Sequence, residues 1–412
     1  MVCGHKTSFA LQARKMKDQD LRFLKSVFAE YYSKYSEAVY VPPPVNSREI
    51  GFVLWPERVM ARHMSFPSLA DIRRRIMDDT PVDAYHSCAV YEFPEKPMGY
   101  KNELWVDLAF DVDAKDVRPD CLNDATYSVC KKCGHHRKGA KKTCPDCSQQ
   151  YQVVEFISPE CIKSTGEQAK KLHAALVDEI GVDPKEISVY FSGHMGFHVY
   201  ATSKAIGELG ADARREITSY LALEGAAGGH ATGKSELGGI GTKRMNKRLL
   251  SQVLDIVTNP AENKDVLGNS GVELVEQNSP RLLPSLEKGA IQGLIGLLGT
   301  AKTKKVLKKA LQRAAVIVDP SVTMDVHRIF RMPGTLNSKS GLPKQLVTLE
   351  EIDKGILSLL PEYGRANVQL SIAFAPEIEI GQESVGPFSN EVATVPRYIG
   401  AYLILKGVAS VG

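Results

Sequence analysis

The segment Leu108–Asp116, LAFDVDAKD, closes an apolar run with two carboxylates, Asp111 and Asp113. On a strand, residues two apart share a face, so the two acids are expected side by side. Neighbouring carboxylates repel, and burying them without a partner is costly. A divalent cation removes the conflict, because Mg²⁺ prefers carboxylate oxygen and keeps coordination positions open for phosphate. Two such ions about 3.5–4 Å apart can activate a hydroxyl and stabilise a departing pyrophosphate. The plain alternative is a strand end whose acids are simply solvated. Asp319 follows a second apolar run, Ala314–Val318, and repeats the arrangement. It is the expected third ligand; Asp325, inside a helical pattern, is second choice.

Four of the eight cysteines form a different constellation: Cys130-Lys-Lys-Cys133, ten residues, then Cys144-Pro-Asp-Cys147. Paired C-x-x-C spacing predicts two knuckles that close a tetrahedron of thiolates around Zn²⁺. Four thiolates leave no open position, so this metal is structural. His135 and His136 are alternative ligands or plain loop histidines. The basic residues around them, KKCGHHRKGAKK, suit contact with a nucleic-acid backbone. Cys3, Cys88, Cys121 and Cys161 show no ligand spacing and are expected to be packing residues, with Cys121 able to lie near the metal.

Two further stretches suit phosphate. FSGHMGFHVY holds Ser192, Gly193, His194, Gly196 and His198; its glycines allow a sharp turn that exposes backbone N–H groups, and the serine and histidines add donors. Its plain alternative is a hairpin with a packed histidine. Arg328 and Arg331, three apart, are expected on one side of a helical turn, where two guanidiniums suit a triphosphate. GGHATGKS (228–235) matches the phosphate-loop pattern letter for letter, but the preceding segment is helical in pattern and no strand feeds it, so it reads as a glycine-rich linker.

These groups need a scaffold. The chain has 412 residues, enough for two or three domains, with 43% hydrophobic and 24% charged residues. No apolar run reaches the about 18–20 residues of a membrane span, and the N-terminus has no signal-peptide core, so an intracellular protein (cytoplasm or nucleoid) is expected. Net charge is +4, too small to argue for nucleic acid; the local clusters, including KTKKVLKKALQR (302–313), matter more. That second cluster reads equally well as a solvated helix face. Periodicity predicts a helix over 18–36, a break at VPPPV, strands over 48–55, 84–93 and 103–113, and a helix after Ser68. A helix follows over 165–180, then two short strands within 186–201. Residues 204–315 are mostly helical in pattern, interrupted by the glycine-rich stretch 225–241, and residues 314–343 return to strand then helix. Interleaved strands and helices define an α/β (α+β) core.

Taken in order, FDVDAKD, the cysteine ribbon, SGHMGFHVY and VDPSVTMDVHRIFRMPGTLNSKSGL, with REIGF (48–52) and RHMSF (62–66) upstream, resemble the catalytic small subunit of archaeal and eukaryotic DNA primase, more archaeal than eukaryotic. The resemblance covers roughly residues 20–345. It implies a primase-type catalytic core with an RRM-like sheet over 1–203 and 314–350, a zinc-binding insertion at 121–150, and a helical subdomain at 204–313. Residues 351–412 are a C-terminal extension with no counterpart. It implies template-directed synthesis of short primers, RNA or alternatively DNA, from NTPs or dNTPs on single-stranded DNA. Asp111, Asp113 and Asp319 would hold two Mg²⁺ or Mn²⁺ ions. Ser192, Gly193, His194, His198, Arg328, Arg331 and Asn337 would contact the nucleotide, with Arg48, Glu49 and Arg62 lining the same cleft. A large iron–sulfur subunit would be the partner. The sequence departs from the family where Met195 replaces an often basic residue and Asn337 an often present histidine, which weakens the expected triphosphate contacts. Two alternatives stand beside this reading: a repair primase-polymerase of the same superfamily, and a non-catalytic zinc-ribbon protein that binds nucleic acid.

Overall fold

The computed structural model describes residues 16–202, 204–224, 247–361, 363–364 and 366–412. The glycine-rich stretch 225–241, with its phosphate-loop lookalike, lies outside the described residues. The chain divides into two compact units, one of residues 1–211 and 319–412, the other of residues 212–318.

The first unit is built on two antiparallel sheets. In chain order its first strands are β1 (Arg48–Val53), β2 (Met60–Met64), β3 (Asp83–Tyr91), β4 (Glu103–Val106) and β5 (Leu108–Asp113). Then come β6 (Thr126–Val129), β7 (His136–Lys138), β8 (Gln152–Glu155), β9 (Ile187–Phe191), β10 (Gly196–Ala201), β11 (Ile329–Arg331) and β12 (Gln345–Leu346). One sheet runs β11-β3-β1-β2 with β4 also on β3; the other runs β12-β9-β10-β5. The run 103–113, expected as one strand, is two strands in different sheets. The joint is Asp107, a buried carboxylate bound to the buried guanidinium of Arg48 at 2.7 Å, and a charge anchored there cannot continue an apolar strand. Cys88, Tyr91, Ala109, Tyr190, Tyr200 and Phe330 share one apolar cluster contributed by both sheets.

Local signals explain most elements. Helix Leu69–Asp79 begins as expected at Ser68, whose hydroxyl accepts the Asp71 N–H. The N-terminal helix Asp18–Tyr35 buries the stripe Leu24, Val27, Phe28 and Tyr31. Helix Pro159–Ala175 is capped by Ser158 and packs against β10 and β5. β6, β7 and β8 form the small sheet that carries the cysteine knuckles. Cys121 and Cys161, expected as packing residues, are disulfide-bonded, Cα to Cα 5.7 Å. No spacing signature marks a pair 40 residues apart, which is why the sequence hid it.

Residues after 350 belong to the first unit. Asn367–Ala375, Phe388–Pro396 and Ala409–Val411 make a three-stranded sheet, and helix Arg397–Leu405 packs against the N-terminal helix. The second unit is helical, with Lys247–Thr258, Lys264–Glu287 and Gln292–Ala314 around Val253, Ile256, Leu294 and Val306. In its basic stretch Lys309 pairs with Asp265 and Arg313 with Asp255, so part of that charge is spent between helices.

Candidate active site

β5 pairs with β10 so that Asp111 faces His198 and Asp113 faces Gly196. The two acids share one side of β5, while Val112 between them is buried on the other. Asp319 reaches the same place without the strand that was expected under it. Residues 315–318 are irregular, and the Asp319 N–H donates to the Asp111 carbonyl at 3.0 Å. The Thr323 hydroxyl donates to the Ala109 carbonyl at 3.0 Å. Segment 319–323 therefore covers the free edge of β5, meeting backbone groups that no other strand takes.

The Asp111 carboxyl is pushed up to about 7, chiefly by burial, then by Asp113 and Asp319, with Lys115 and Arg328 pulling it partly back. A site that opposes its own negative charge in this way suits cations, since a bound cation would reverse that balance. Two of the acids meanwhile hold backbone donors. Asp113 accepts the Lys115 N–H at 2.9 Å, and Asp319 accepts the N–H and hydroxyl of Ser321 at 2.9 and 2.6 Å. The trio does not gather its oxygens as the cysteines gather their sulfurs: among the described residues, the clusters with all ligand atoms within 4.8 Å are Cys130–Cys133–Cys144–Cys147 and His135–Cys144–Asp146. Mutual repulsion and the local N–H donors account for that spread. The donor set, all hard carboxylate oxygen, fits Mg²⁺ or Mn²⁺.

His198 stands beside Asp111, Nε2 to Oδ1 3.6 Å. Burial, then Lys344, Arg331 and Arg328, hold its pKa well below the ordinary value, so the ring is neutral. Its Nδ1 is buried with no hydrogen-bond partner among the described residues.

The turn before β10 is fixed by the segment 337–342. Gly193 has φ +82°, and a Cβ there would sit 2.6 Å from the Leu342 carbonyl, so only glycine fits. Gly196 is equally constrained, its would-be Cβ 2.5 Å from the Val112 carbonyl on β5. The Ser340 hydroxyl donates to the Gly193 carbonyl, and the Asn337 amide donates to the Ser192 carbonyl at 3.1 Å.

Several residues expected on the nucleotide sit elsewhere. The Asn337 side chain is committed at both ends to backbone, since its oxygen also accepts the Lys339 N–H at 2.9 Å; a neutral amide suits such a bridge. It shapes the turn. Met195 is buried, which leaves no basic group at that position. His194 Nε2 lies 2.6 Å from Lys406 Nζ. Arg328 and Arg331 do not share a helical turn, because Ile329–Arg331 is a strand, where residues three apart point to opposite faces. Arg328 acts on Asp111, whereas the guanidinium of Arg331 pairs with Asp83 and donates to the Leu336 carbonyl at 3.0 Å. Arg48 and Glu49, adjacent on β1, likewise diverge. Arg48 is buried on Asp107 and on the carbonyls of Ser87 and Cys88. Glu49 receives Arg62 at 2.8 Å and Lys101 at 3.3 Å; burial opposes its charge, but these partners keep its carboxyl below the ordinary value. Arg62 also reaches the His327 carbonyl at 3.4 Å, one residue from Arg328.

Sequence reasoning missed Asp83, Asp107, Lys344 and Lys406. Lys344 is fully buried, with Nζ 2.7 Å from the Tyr200 hydroxyl and over the rings of Tyr190 and Tyr200. A lone lysine or aspartate carries no spacing signal, so nothing in the sequence marks these as buried partners.

The four cysteines meet expectation. Sγ of Cys130 and Cys147 are 3.4 Å apart and those of Cys133 and Cys144 3.6 Å, near the about 3.8 Å edge of a tetrahedron with Zn–S bonds of about 2.3 Å. The knuckles are alike: Gly134 N–H donates to the Cys130 carbonyl and Ser148 N–H to the Cys144 carbonyl, both donors at positive φ. The arrangement is compatible with structural zinc. His135 turns its Nδ1 to the Tyr151 hydroxyl at 2.5 Å, and His136 stacks on Phe374 at 3.8 Å.

Paired sheets that bring carboxylates, a neutral histidine and an arginine together define a nucleotidyltransferase-type enzyme. Comparison with known proteins agrees. Residues 155–348 match the family model described as DNA primase small subunit. The DNA primase small subunit of Cenarchaeum symbiosum is 31% identical over 397 residues, covering 96% of this chain and all of that protein. That of Nitrosopumilus maritimus is 29% identical over 402 residues, with the same coverage. That of Staphylothermus marinus is 29% identical over 395 residues, 94% of each chain. Among solved structures, the polymerase domain from Mycobacterium tuberculosis ligase D in complex with DNA covers 80% of this chain and 82% of that one at 10% identity and a TM-score of 0.34, too weak a likeness to carry an argument. The chain belongs to the DNA primase small subunit family. Neither alternative, repair polymerase or non-catalytic ribbon protein, is favoured. Coverage of 96% also takes in residues after 350, for which the sequence alone offered no counterpart. No helix among the described residues is long and apolar enough to cross a membrane.

Proposed function

We propose that this chain is the polymerising subunit of a primase, joining NTPs into short RNA primers de novo on single-stranded DNA during replication. The observation that carries the reading is the seating of Asp319 on the backbone of Asp111, which joins three acids distant in sequence. Mg²⁺ or Mn²⁺ held by Asp111, Asp113 and Asp319 would activate the attacking 3′-hydroxyl and neutralise the leaving pyrophosphate. The protein's own groups do the rest. His198, neutral and beside Asp111, offers a hydrogen bond to a phosphate oxygen without adding charge. Arg328 supplies the positive charge for the triphosphate, and the Ser192–Gly193 turn presents donors to it. Arg62, oriented by Glu49, flanks the same side. The basic ribbon around the cysteines holds template backbone. A large iron–sulfur subunit completes the assembly.

The test is unprimed synthesis on single-stranded DNA with labelled ATP and Mn²⁺, with and without the large subunit. Product from the unaltered chain and none from Asp111→Ala or Asp113→Ala is expected. Undiminished synthesis by either variant would refute the assignment of the acids.

A further inference from the structure

The face of β10 that carries His198 continues through Tyr200 to Thr202 at the strand's end, and there the two sheets part around a cavity of about 610 Å³. That lies within the range of about 300–1,000 Å³ typical of small-molecule sites. Tyr40, Trp105, Tyr190 and Tyr200 wall it. Tyr40 is 41% exposed and Thr202 is exposed, so the cavity meets solvent along that rim. Its charges cancel, since Arg48 and Asp107 are both in the lining and bind each other at 2.7 Å.

One polar atom is left over. His86 also lines the cavity and is 1% exposed. Its Nδ1 lies 3.0 Å from the Ser87 carbonyl, which can only accept, so Nδ1 carries the proton. Burial, then Lys344 and Arg48, push its pKa well below the ordinary value and keep the ring neutral. Nε2 is then an acceptor, buried, with no hydrogen-bond partner among the described residues. A buried polar atom left this way costs about 1–3 kcal/mol.

We propose that this inter-sheet cavity binds a neutral, planar heteroaromatic molecule, a nucleobase or nucleoside, stacked among Tyr40, Trp105, Tyr190 and Tyr200 and donating an N–H to His86 Nε2. Flat aromatic walls recognise the face of a base, and a lone buried acceptor recognises its amino edge. The cancelled charge of the lining selects a nucleoside over a nucleotide. The site is separate from the carboxylates and from the Ser192–Gly193 turn, none of which lines it, and it does not depend on the primase reading.

The test uses the full chain carrying Trp55→Phe, which leaves Trp105 as the sole tryptophan. Adenosine is titrated in buffer without added divalent cation while Trp105 fluorescence is followed. Saturable quenching is expected, AMP binding no more tightly than adenosine. His86→Phe keeps the ring but removes the acceptor and is expected to weaken binding about tenfold, the worth of one hydrogen bond near 1.4 kcal/mol. Ser188→Leu, on β9 at the opposite wall, fills the cavity and should abolish binding. If His86→Phe fails to fold, as judged by circular dichroism and melting, Ser188→Leu decides alone. Absence of saturable quenching overturns the proposal. So does adenosine binding untouched by Ser188→Leu, and so does a clear preference for AMP, which would mark an anion site.

Discussion

Replacing Asp111 by alanine removes a carboxylate whose charge is already opposed by burial and by two neighbouring acids. The fold should therefore survive the change, with zinc content and melting temperature held or raised, while nucleotide incorporation drops below detection. Gly193→Ala should act in the opposite sense. A Cβ at φ +82° and 2.6 Å from the Leu342 carbonyl strains the turn, so a loss of about 1–3 kcal/mol in denaturant melts is expected, with a raised KM for nucleotide. At this scale the sequence was legible where chemistry is local. Asp111, Asp113 and His198 share a face because strand alternation leaves no other choice. Asn337 and Arg331 were misplaced because their partners, the Ser192 carbonyl and Asp83, are remote in the chain. No local pattern tells an arginine that binds phosphate from one that binds a buried aspartate.

The cysteine ribbon is the element most fully readable in advance, since two C-x-x-C knuckles and a tetrahedron nearly define one another. Chelation of the metal should unravel strands β6–β8, whose sheet has few apolar residues beyond Tyr151 and the cysteines themselves. The expected readout is release of one zinc per chain with a fall in melting temperature, reversed by adding zinc back; a chain whose melt ignores chelators would count against it. Other elements were less legible. Residues 314–318 have a strand's composition but pair with no strand, because they link a helix end to the edge of β5. Around Arg328 the spacing suited a helix, but β3 offered an open edge, and pairing with Ser87–Tyr85 outweighed local preference.

At the scale of the whole molecule, the residues after 350 gave no sequence signal of purpose, yet they are built into the first unit. The Ile157 N–H donates to the Tyr402 hydroxyl at 2.7 Å, Gln152 of β8 donates to the Lys406 carbonyl at 2.7 Å, and Lys406 Nζ meets His194. Burial, with Lys339 adding to it against Glu155, lowers the Lys406 ammonium to about 7, from 10.5 ordinarily. Between those values the unfolded chain binds more protons than the folded one, so stability rises with pH. The contribution is complete above about 10.5 and lost as pH falls through about 7. Melting temperatures measured from pH 7 to 10 should climb more steeply for the unaltered chain than for Lys406→Met; parallel curves would remove Lys406 from this account.

The clasp of Tyr402 and Lys406 also bears on how the protein is made. A ribosome releases this chain from its first residues onward, so the sheets bearing the acids emerge long before the helix that closes over Ile157 and His194. A nascent chain would carry every carboxylate and still lack the support under its nucleotide turn, and priming would await nearly complete translation.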